Sequence, residues 1–264
     1  MTMIKTALAA VAALMLLATA AAADTLVEKL DKTYPLQGKT VSVENVNGSV
    51  DVGVWDRNEV RVETEKRVRG ARRDDANDAA KAVRIEVQQT ATGLEIRTRY
   101  PKHDGMVGIF SLFTDDRVHA EVKYRITMPR TAKLEVDTVN AAIRVQGVQG
   151  GTDLETVNGS IDVVGAAGSF EAETVNGSID AQLSSVAAGK LSAETVNGRV
   201  RLALPAALKA NVEIETVNGR ITSDIPVTAR SISKRSLRGS INGGGPVDLA
   251  ITTVNGSVTI EPNS

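Results

Sequence analysis

The sequence predicts an all-β protein, and more specifically a parallel β-solenoid of short repeated coils behind an N-terminal β-rich cap. Three observations lead to this prediction. A phrase of the form Thr-Val-Asn-Gly recurs along the chain, apolar and polar residues alternate on both sides of each copy, and corresponding positions of successive copies keep the same residue. Alternation with a period of two is typical of strands that bury one face, and tandem self-similarity is typical of stacked repeats.

The recurring phrase has a nearly constant spacing. From Asn140 onward its asparagine positions are 17 to 21 residues apart, if Arg238 stands for asparagine in a worn copy at 236–239. This regularity predicts one unit copied about seven times in tandem, with three short inward-facing segments in each unit. The predicted corners of the repeat are Asn47, Gly48, Asn140, Asn158, Gly159, Asn176, Gly177, Asn197, Gly198, Asn218, Gly219, Asn255 and Gly256.

Two architectures fit an Asn-Gly pair between alternating strands. Asn-Gly is a strong signal for a two-residue hairpin, but a hairpin would place the like charges of Glu155 and Asp162 opposite each other. A parallel solenoid uses Val-Asn-Gly as a corner, where we expect valine to turn inward and glycine or asparagine to adopt the left-handed conformation. Stacking would put identical residues about 4.8 Å apart and let asparagine side chains hydrogen-bond along the stack. The identity within columns therefore favours the solenoid over an antiparallel meander.

The chain is predicted to have three parts. Residues 1–23 resemble an export signal, with Lys5 before an apolar stretch and three alanines before Asp24. An N-terminal β-rich cap region follows at 24–133, and the tandem-repeat solenoid occupies 134–264. No later stretch is apolar and long enough to span a membrane. We therefore expect a periplasmic or secreted protein with no transmembrane segment after removal of the signal.

The cap region has longer alternating segments than the repeats. They predict strands at 40–46, 49–54, 59–65, 83–87, 94–100 and 118–128. A short helix is predicted from Asp74 or Asp75 to Val83, because aspartate is favoured at the start of a helix. We expect these strands to form a broader sheet that protects the first coil of the solenoid from edge pairing.

The octapeptide Glu-Thr-Val-Asn-Gly-Ser-Ile-Asp, repeated after an export signal, resembles a bacterial adhesin-like family of β-strand repeats. That family is of unknown function and is related to the autotransporter-adhesin-like GIN head domains, which are named after a Gly-Ile-Asn motif. The resemblance covers about 39 to 260 and implies a β-helix, right-handed by that analogy, in an extracytoplasmic protein. It implies no catalytic residues.

The composition excludes several kinds of site. The chain has no cysteine, which excludes disulfides, zinc-thiolate centres and cysteine nucleophiles. Its 31 basic and 32 acidic residues are too evenly balanced for a nucleic-acid-binding protein. Neither a phosphate-binding glycine loop nor a serine nucleophile motif is present, so we predict no cofactor and no metal.

Acidic residues recur before each corner, three and five positions ahead of the asparagine. In a solenoid they would share one face, about 4.8 Å apart within a column, and would repel one another unless cations or a basic partner neutralised them. The alternative is a solvated face screened by mobile counterions. This predicted acidic strip consists of Glu135, Asp137, Asp153, Glu155, Glu171, Glu173, Glu194, Glu213 and Glu215.

Two other groups of residues combine charged, aromatic or metal-binding side chains. Asp180 with Arg199 and Arg201 is the nearest imitation of a polysaccharide-processing site, although aromatic residues, at 3%, are scarce for one. The segment 101–119 holds both histidines, His103 and His119, without a spacing that demands a metal. It also holds an apolar run that either covers the core as a flap or contacts a partner, formed by Met106, Ile109, Phe110 and Phe113 with their neighbours.

These features predict an extracytoplasmic, non-enzymatic binding or structural module of adhesin-like type. Its charged solenoid faces would be presented to an envelope protein or surface component that the sequence does not identify. An enzyme acting on envelope polysaccharide is one alternative. An envelope-stress or signalling accessory protein, recognised through the apolar run, is another.

Overall fold

The computed structural model describes residues 25–70, 73–100, 118–186 and 188–263. The predicted export signal at 1–23 lies outside these residues. The described residues form 21 strands and one helix, which are, in chain order, β1 (Thr25–Pro35), β2 (Thr40–Glu44), β3 (Val50–Trp55), β4 (Glu59–Gly70), α1 (Arg73–Ala82), β5 (Arg84–Gln89), β6 (Gly93–Arg99), β7 (Val118–Pro129), β8 (Lys133–Asp137), β9 (Ile143–Gln146), β10 (Thr152–Asn158), β11 (Ile161–Ala167), β12 (Phe170–Asn176), β13 (Ile179–Ser185), β14 (Gly189–Asn197), β15 (Val200–Leu204), β16 (Ala210–Thr216), β17 (Ile221–Ser223), β18 (Val227–Ile232), β19 (Ser236–Ile241), β20 (Val247–Asn255) and β21 (Val258–Pro262).

The strands form two sheets, and most neighbouring strands are parallel. The ten-stranded sheet has the order β1-β4-β7-β3-β9-β11-β13-β15-β21-β17. The eleven-stranded sheet has the order β18-β19-β16-β20-β14-β12-β10-β8-β2-β6-β5. Thr156 of β10 lies beside Thr174 of β12 in parallel register, which contradicts the antiparallel meander. The two largely parallel sheets are consistent with a β-solenoid, and the handedness of its winding stays a prediction.

Each repeat contributes two strands, one to each sheet, and the third of the predicted inward-facing segments is buried without forming a strand. The third apolar segment lies in the turn that returns the chain to the first sheet. Val148 and Leu208 are buried there without belonging to a strand. We call one strand of the eleven-stranded sheet together with the following strand of the ten-stranded sheet a coil.

The coils near the C-terminus do not stack in the order in which they occur in the sequence. The last coil, β20–β21, lies between β14–β15 and β16–β17, because β20 pairs with both β14 and β16. In the other sheet β21 pairs in the same way with β15 and β17. The coil β16–β17 therefore does not pair with β14–β15, which precedes it in the sequence. The last coil, β20–β21, is inserted between them.

The worn copy at 236–239 is not a corner, contrary to the prediction. It belongs to β19, which pairs with β16 in antiparallel orientation. The guanidinium group of Arg238, which stands in the asparagine column of the sequence repeat, binds the carboxylates of Glu213 and Glu215 instead.

The N-terminal end has the same arrangement. The coil β2–β3 lies between β6–β7 and β8–β9, so the first coil of the sequence is also one step inside the stack. The six predicted strands of this region are confirmed with small changes at their ends, whereas β1 was not predicted. Strands on both sides of residue 133 pair directly within one sheet, and the division of the chain at that residue stays a prediction.

Helix α1 confirms the predicted helix and packs against the inner part of β4. Ala76 and Ala80 form a small core with Val68, separate from the main one. The buried Nζ of Lys66 donates hydrogen bonds to the carbonyl oxygens of Ala80 and Val83, 2.7 and 3.1 Å away. The lysine thus satisfies carbonyl groups at the C-terminal end of the helix. Among the described residues there is no helix with the length and hydropathy of a membrane span.

Candidate functional site

The Thr-Val-Asn-Gly corner places threonine inside and valine outside. Thr174 is buried, and its hydroxyl donates to the carbonyl oxygen of Gly159 in the neighbouring coil at 3.1 Å. Val175 is 40% exposed. The prediction that valine turns inward is wrong, because the strand continues through Asn176 and its strict alternation directs valine to the opposite side from threonine.

Glycine is required at the corner by close stacking, not by a left-handed backbone. Gly177 has no positive φ, but a Cβ there would lie 1.8 Å from the carbonyl oxygen of Gly159. A Cβ at Gly198 would lie 1.8 Å from the carbonyl oxygen of Gly177, and a Cβ at Gly256 would lie 1.7 Å from that of Gly198. Only Gly48 of the predicted corner glycines has a positive φ, at 109°. The expectation of left-handed corners therefore holds at one end of the stack only.

The corner asparagines form a continuous ladder of side-chain hydrogen bonds. The amide nitrogen of each asparagine except Asn47 donates to the side-chain oxygen of the asparagine in the adjacent coil, at 2.8 to 3.0 Å. The amide nitrogen of Asn47, at the end of the ladder, donates to the carbonyl oxygen of Ala120. The ladder follows the spatial order of the coils, so Asn255 lies between Asn197 and Asn218. Its members are Asn47, Asn140, Asn158, Asn176, Asn197, Asn255 and Asn218.

The predicted acidic strip is divided into two groups by the inserted coil. In β20, Ala250 and Thr252 occupy the acidic positions and separate Glu213 and Glu215 from the remaining members. The larger group forms two columns. The outer column, five positions before asparagine, contains Glu135, Asp153 and Glu171, and the inner column, three positions before it, contains Asp137, Glu155, Glu173 and Glu194.

The outer column is neutralised by lysines. Lys133 lies 2.7 Å from a carboxylate oxygen of Glu135 and 3.8 Å from one of Asp153. Its hydrogen bond to Glu135 raises the pKa of Lys133 above the usual value. Lys190 lies 3.6 Å from Glu171. Ion pairs of this exposed kind stabilise weakly, but they leave no large charge excess in this column.

The inner column is not neutralised. Within the described ranges, no cationic group lies within 4.0 Å of Asp137, Glu155, Glu173 or Glu194. Pairs occur only at the two ends of the stack, where Arg97 binds Glu44 at 3.1 Å and Arg238 binds Glu215 at 2.9 Å. Four consecutive carboxylates thus lie in parallel register, with neighbours separated by about 4.8 Å.

The negative charges of this column act on Glu155. Partial burial, and then the negative charges of Asp137, Glu173, Asp153 and Glu171, raise the pKa of Glu155 above its usual value. Desolvation and like charges both disfavour the ionised carboxylate. A cation bound beside Glu155 would offset the effect of the neighbouring negative charges on its pKa.

A column of exposed valines lies directly beside these carboxylates. Val157, Val175 and Val196 are 39 to 40% exposed, although valine is normally a core residue of sheets. They line a shallow groove of about 440 Å³ together with the inner carboxylates. We call this surface the acid–valine strip and define it as Asp137, Glu155, Glu173, Glu194, Val157, Val175 and Val196. The sequence analysis missed its apolar half, although strict alternation through asparagine would have directed the valines outward.

The other candidate groups form no site among the described residues, where Arg199 is exposed and has no ion pair. The guanidinium of Arg201 lies 3.5 Å from Asp180 and 2.6 Å from Glu261. The residues that resemble a polysaccharide-processing site therefore include two ion pairs between coils. His119 begins the described part of its segment with Val118, and no potential metal cluster of three or more ligands exists among the described residues. His103 and the predicted partner loop of Met106, Ile109, Phe110 and Phe113 lie outside the described residues.

A family model and a solved structure with a TM-score above 0.5 support the fold. The family described as Toastrack DUF4097 matches residues 32–261. A solved "putative cell adhesion protein" from Clostridium sporogenes is similar over 90% of this chain and 100% of its own, with 11% identity and a TM-score of 0.54. A "putative adhesin" from Bacteroides fragilis covers 88% of this chain and 97% of its own, with 9% identity and a TM-score of 0.43. No curated protein is significantly similar in sequence.

Proposed function

Since the chain belongs to the Toastrack DUF4097 family, we propose that it is an extracytoplasmic, non-enzymatic binding module whose acid–valine strip receives a partner from the cell envelope or cell surface. The observation that carries this proposal is the unpaired inner column beside exposed valines. A solvated acidic face would explain the carboxylates alone, but it would not explain an apolar column along the same groove.

The strip defines the chemistry of its partner. A partner must bring cationic groups, since charge complementarity both attracts it and lowers the repulsion within the column. It must also bring apolar surface to cover Val157, Val175 and Val196, because burial of apolar area is the main non-directional contribution to association. The resulting interface combines an apolar centre with charged groups along its side, as in other specific interfaces.

The partner must also run along the stack, across the strands. Its contacts would recur about every 4.8 Å, since each coil contributes one carboxylate and one valine. Coils near the middle contribute both, whereas the inserted coil contributes Thr252 instead of a carboxylate. The binding surface therefore ends at the inserted coil.

A cross-linking capture experiment tests this proposal. The tagged protein would be cross-linked in its own cells, and partners captured by the wild type would be compared with those captured by a variant with Glu155→Gln, Glu173→Gln and Glu194→Gln. We expect the specific partner to be lost in this variant and also in a variant with Val157→Ser, Val175→Ser and Val196→Ser.

A matched variant controls for loss of charge elsewhere. Glu63, Glu121 and Glu261 are paired with arginine or lysine in the ten-stranded sheet, and their change to glutamine removes the same number of carboxylates. Capture must survive in this control. Equal capture by the wild type and both strip variants would refute the proposal.

A further inference from the structure

The two sheets end unevenly at the C-terminal end of the stack. The ten-stranded sheet ends at β17, whereas the eleven-stranded sheet continues past the same coil with β19 and β18. At the opposite end the overhanging part of the ten-stranded sheet is covered by helix α1. No described element covers β18 in the same way, and five of its six residues are exposed.

The uncovered strand presents an apolar groove. The groove has a volume of about 430 Å³, and its apolar lining includes Ile221, Ile225, Val227, Ala229, Ile232 and Leu237. Ile232 is 74% exposed, more than any other large apolar residue described. An exposed apolar surface of this kind marks an interaction site.

The strand also has a free edge. Among the described strands, β18 pairs only with β19, so one row of its backbone N–H and C=O groups has no strand partner. A free edge beside an apolar face is the surface to which an extended segment can add as a further strand. The backbone groups then supply affinity and the alternate side chains supply specificity.

The charge of this end is positive. Residues 220–238 contain five basic residues and one acidic residue, Asp224, which lines the groove, in a chain that is otherwise slightly acidic. Arg238 is occupied by Glu213 and Glu215. The other four cations have no ion pair with any described residue, and they are Arg220, Arg230, Lys234 and Arg235.

Two possible occupants fit these observations poorly. A second copy pairing through the same edge would add a second Arg230, with Lys234 and Arg235 close behind it, to an edge that is already positive, and like charges brought together across a sheet are destabilising. A bilayer would accept the cations and Ile232, but hydrocarbon leaves the free backbone groups of an edge strand without partners. An occupant that satisfies the backbone and the cations together is an acidic peptide segment in extended conformation.

We propose that β18 receives an extended acidic segment of another protein as an added strand. Carboxylates of that segment pair with Arg220, Arg230, Lys234 and Arg235, and its alternate apolar side chains cover Ile232 and the groove. The same cations that prevent pairing between copies thus select a negatively charged strand. This site lies at the end of the stack and does not depend on the acid–valine strip.

The test uses the purified protein and a pool of labelled peptides of about eight residues, in which Asp or Glu alternates with Val, Ile or Tyr. We expect binding in fluorescence anisotropy that weakens as salt is raised, and slower hydrogen exchange of the β18 amides in the presence of the pool. A pool with proline at the alternate positions should not bind, since proline cannot donate to a ladder.

Two variants localise the site. Changing Arg230, Lys234 and Arg235 to glutamine should weaken binding by about tenfold or more, and Ala229→Pro should abolish the protection of β18. A control that changes the exposed cations Lys39, Arg84 and Lys209 to glutamine removes the same charge elsewhere and should bind as the wild type. Unchanged binding by the Arg230 variant would overturn the proposal. So would protection of β18 by anionic phospholipid vesicles or by self-association in place of the peptide pool.

Discussion

The corner glycines are the residues at which a single methyl group has the largest consequence. A Cβ at Gly177 would lie 1.8 Å from the carbonyl oxygen of Gly159, and that oxygen also accepts the hydroxyl of Thr174. The backbone of the neighbouring coil is therefore fixed from two sides and has no room to move. The glycine column sets the distance between coils.

We expect Gly177→Ala to lower the free energy of unfolding by about 1–3 kcal/mol, the usual cost of overpacking a fixed site. Urea denaturation followed by circular dichroism measures this change. Gly53→Ala is the matched control, because a Cβ there has no neighbour within 4 Å and its φ is not positive. Equal stability of the two variants would show that the coils separate easily, contrary to the contacts at this corner.

The asparagine ladder permits a comparison between its middle and its end. Asn176 donates to Asn158 and accepts from Asn197, whereas the side chain of Asn218 makes a single ladder bond, to Asn255. We expect Asn176→Ala to destabilise the protein by about 1 kcal/mol and Asn218→Ala by about half as much, because each exposed bond contributes weakly. Thermal unfolding of the two variants measures the ratio. A larger effect at Asn218 would contradict a simple sum of ladder bonds.

At the scale of the strands, the inner acidic column makes stability depend on pH. The pKa of Glu155 is raised in the folded protein, so the folded state holds its proton over a range in which the unfolded chain has lost it. The contribution of Glu155 to the free energy of unfolding is therefore fully present below the ordinary glutamate pKa. It is lost as the pH rises through the raised pKa of the folded state.

We expect Glu155→Gln to stabilise the protein at pH 7 and to have a much smaller effect at pH 4, where the carboxyl group is mostly protonated in both states. The gain should be a few tenths of a kcal/mol, since the site is partly exposed to solvent. Chemical denaturation at the two pH values measures the difference. Glu135→Gln is the control, because it removes the hydrogen bond with Lys133 and should not stabilise. A destabilised Glu155 variant at pH 7 would mean that a bound cation neutralises the column.

The strands could be predicted from sequence because local alternation determines them. The repeats predicted strands around each corner, and the register of Glu155 beside Glu173 follows directly from the identity of the columns. The exposed side of Val175 was missed because the corner was assumed to begin before the asparagine. The sequence pattern in fact alternates through Thr174, Val175 and Asn176 without a break.

Strand β1 and Lys66 could not be predicted in the same way. Glu28 and Lys32 interrupt the face of β1 that carries Leu26, Leu30 and Tyr34, so the strand has no clear apolar alternation, and it is held as an edge that pairs with β4 from Thr25 to Pro35. Lys66 looks like a surface residue of β4, but α1 folds over it and its ammonium group binds helix carbonyls. Both features depend on contacts between parts of the chain that carry no local signal.

At the scale of the whole molecule, both terminal coils lie one step inside the stack. The first coil is held between β6–β7 and β8–β9, and the last between β14–β15 and β16–β17. A coil paired on both sides frays less than a coil at an end, because its backbone hydrogen bonds are all made. The tandem repeat suggested stacking in sequence order, since every copy carries the same corner and the columns do not distinguish one neighbour from another.

Engineered disulfides test this order directly, because the chain contains no cysteine of its own. Asn197 hydrogen-bonds to Asn255 across adjacent coils, while Asn218 is two coils from Asn197. Adjacent parallel strands place Cα atoms about 4.8 Å apart and second neighbours about 10 Å apart, and a disulfide requires less than about 7 Å. We expect a bond in the variant Asn197→Cys with Asn255→Cys and none within the folded monomer of Asn197→Cys with Asn218→Cys. Mass spectrometry of unreduced proteolytic peptides identifies the bonded pairs. A bond between positions 197 and 218, with none between 197 and 255, would restore the sequence order of the coils and place the last coil at the end of the stack, where it would cover β16 and β17.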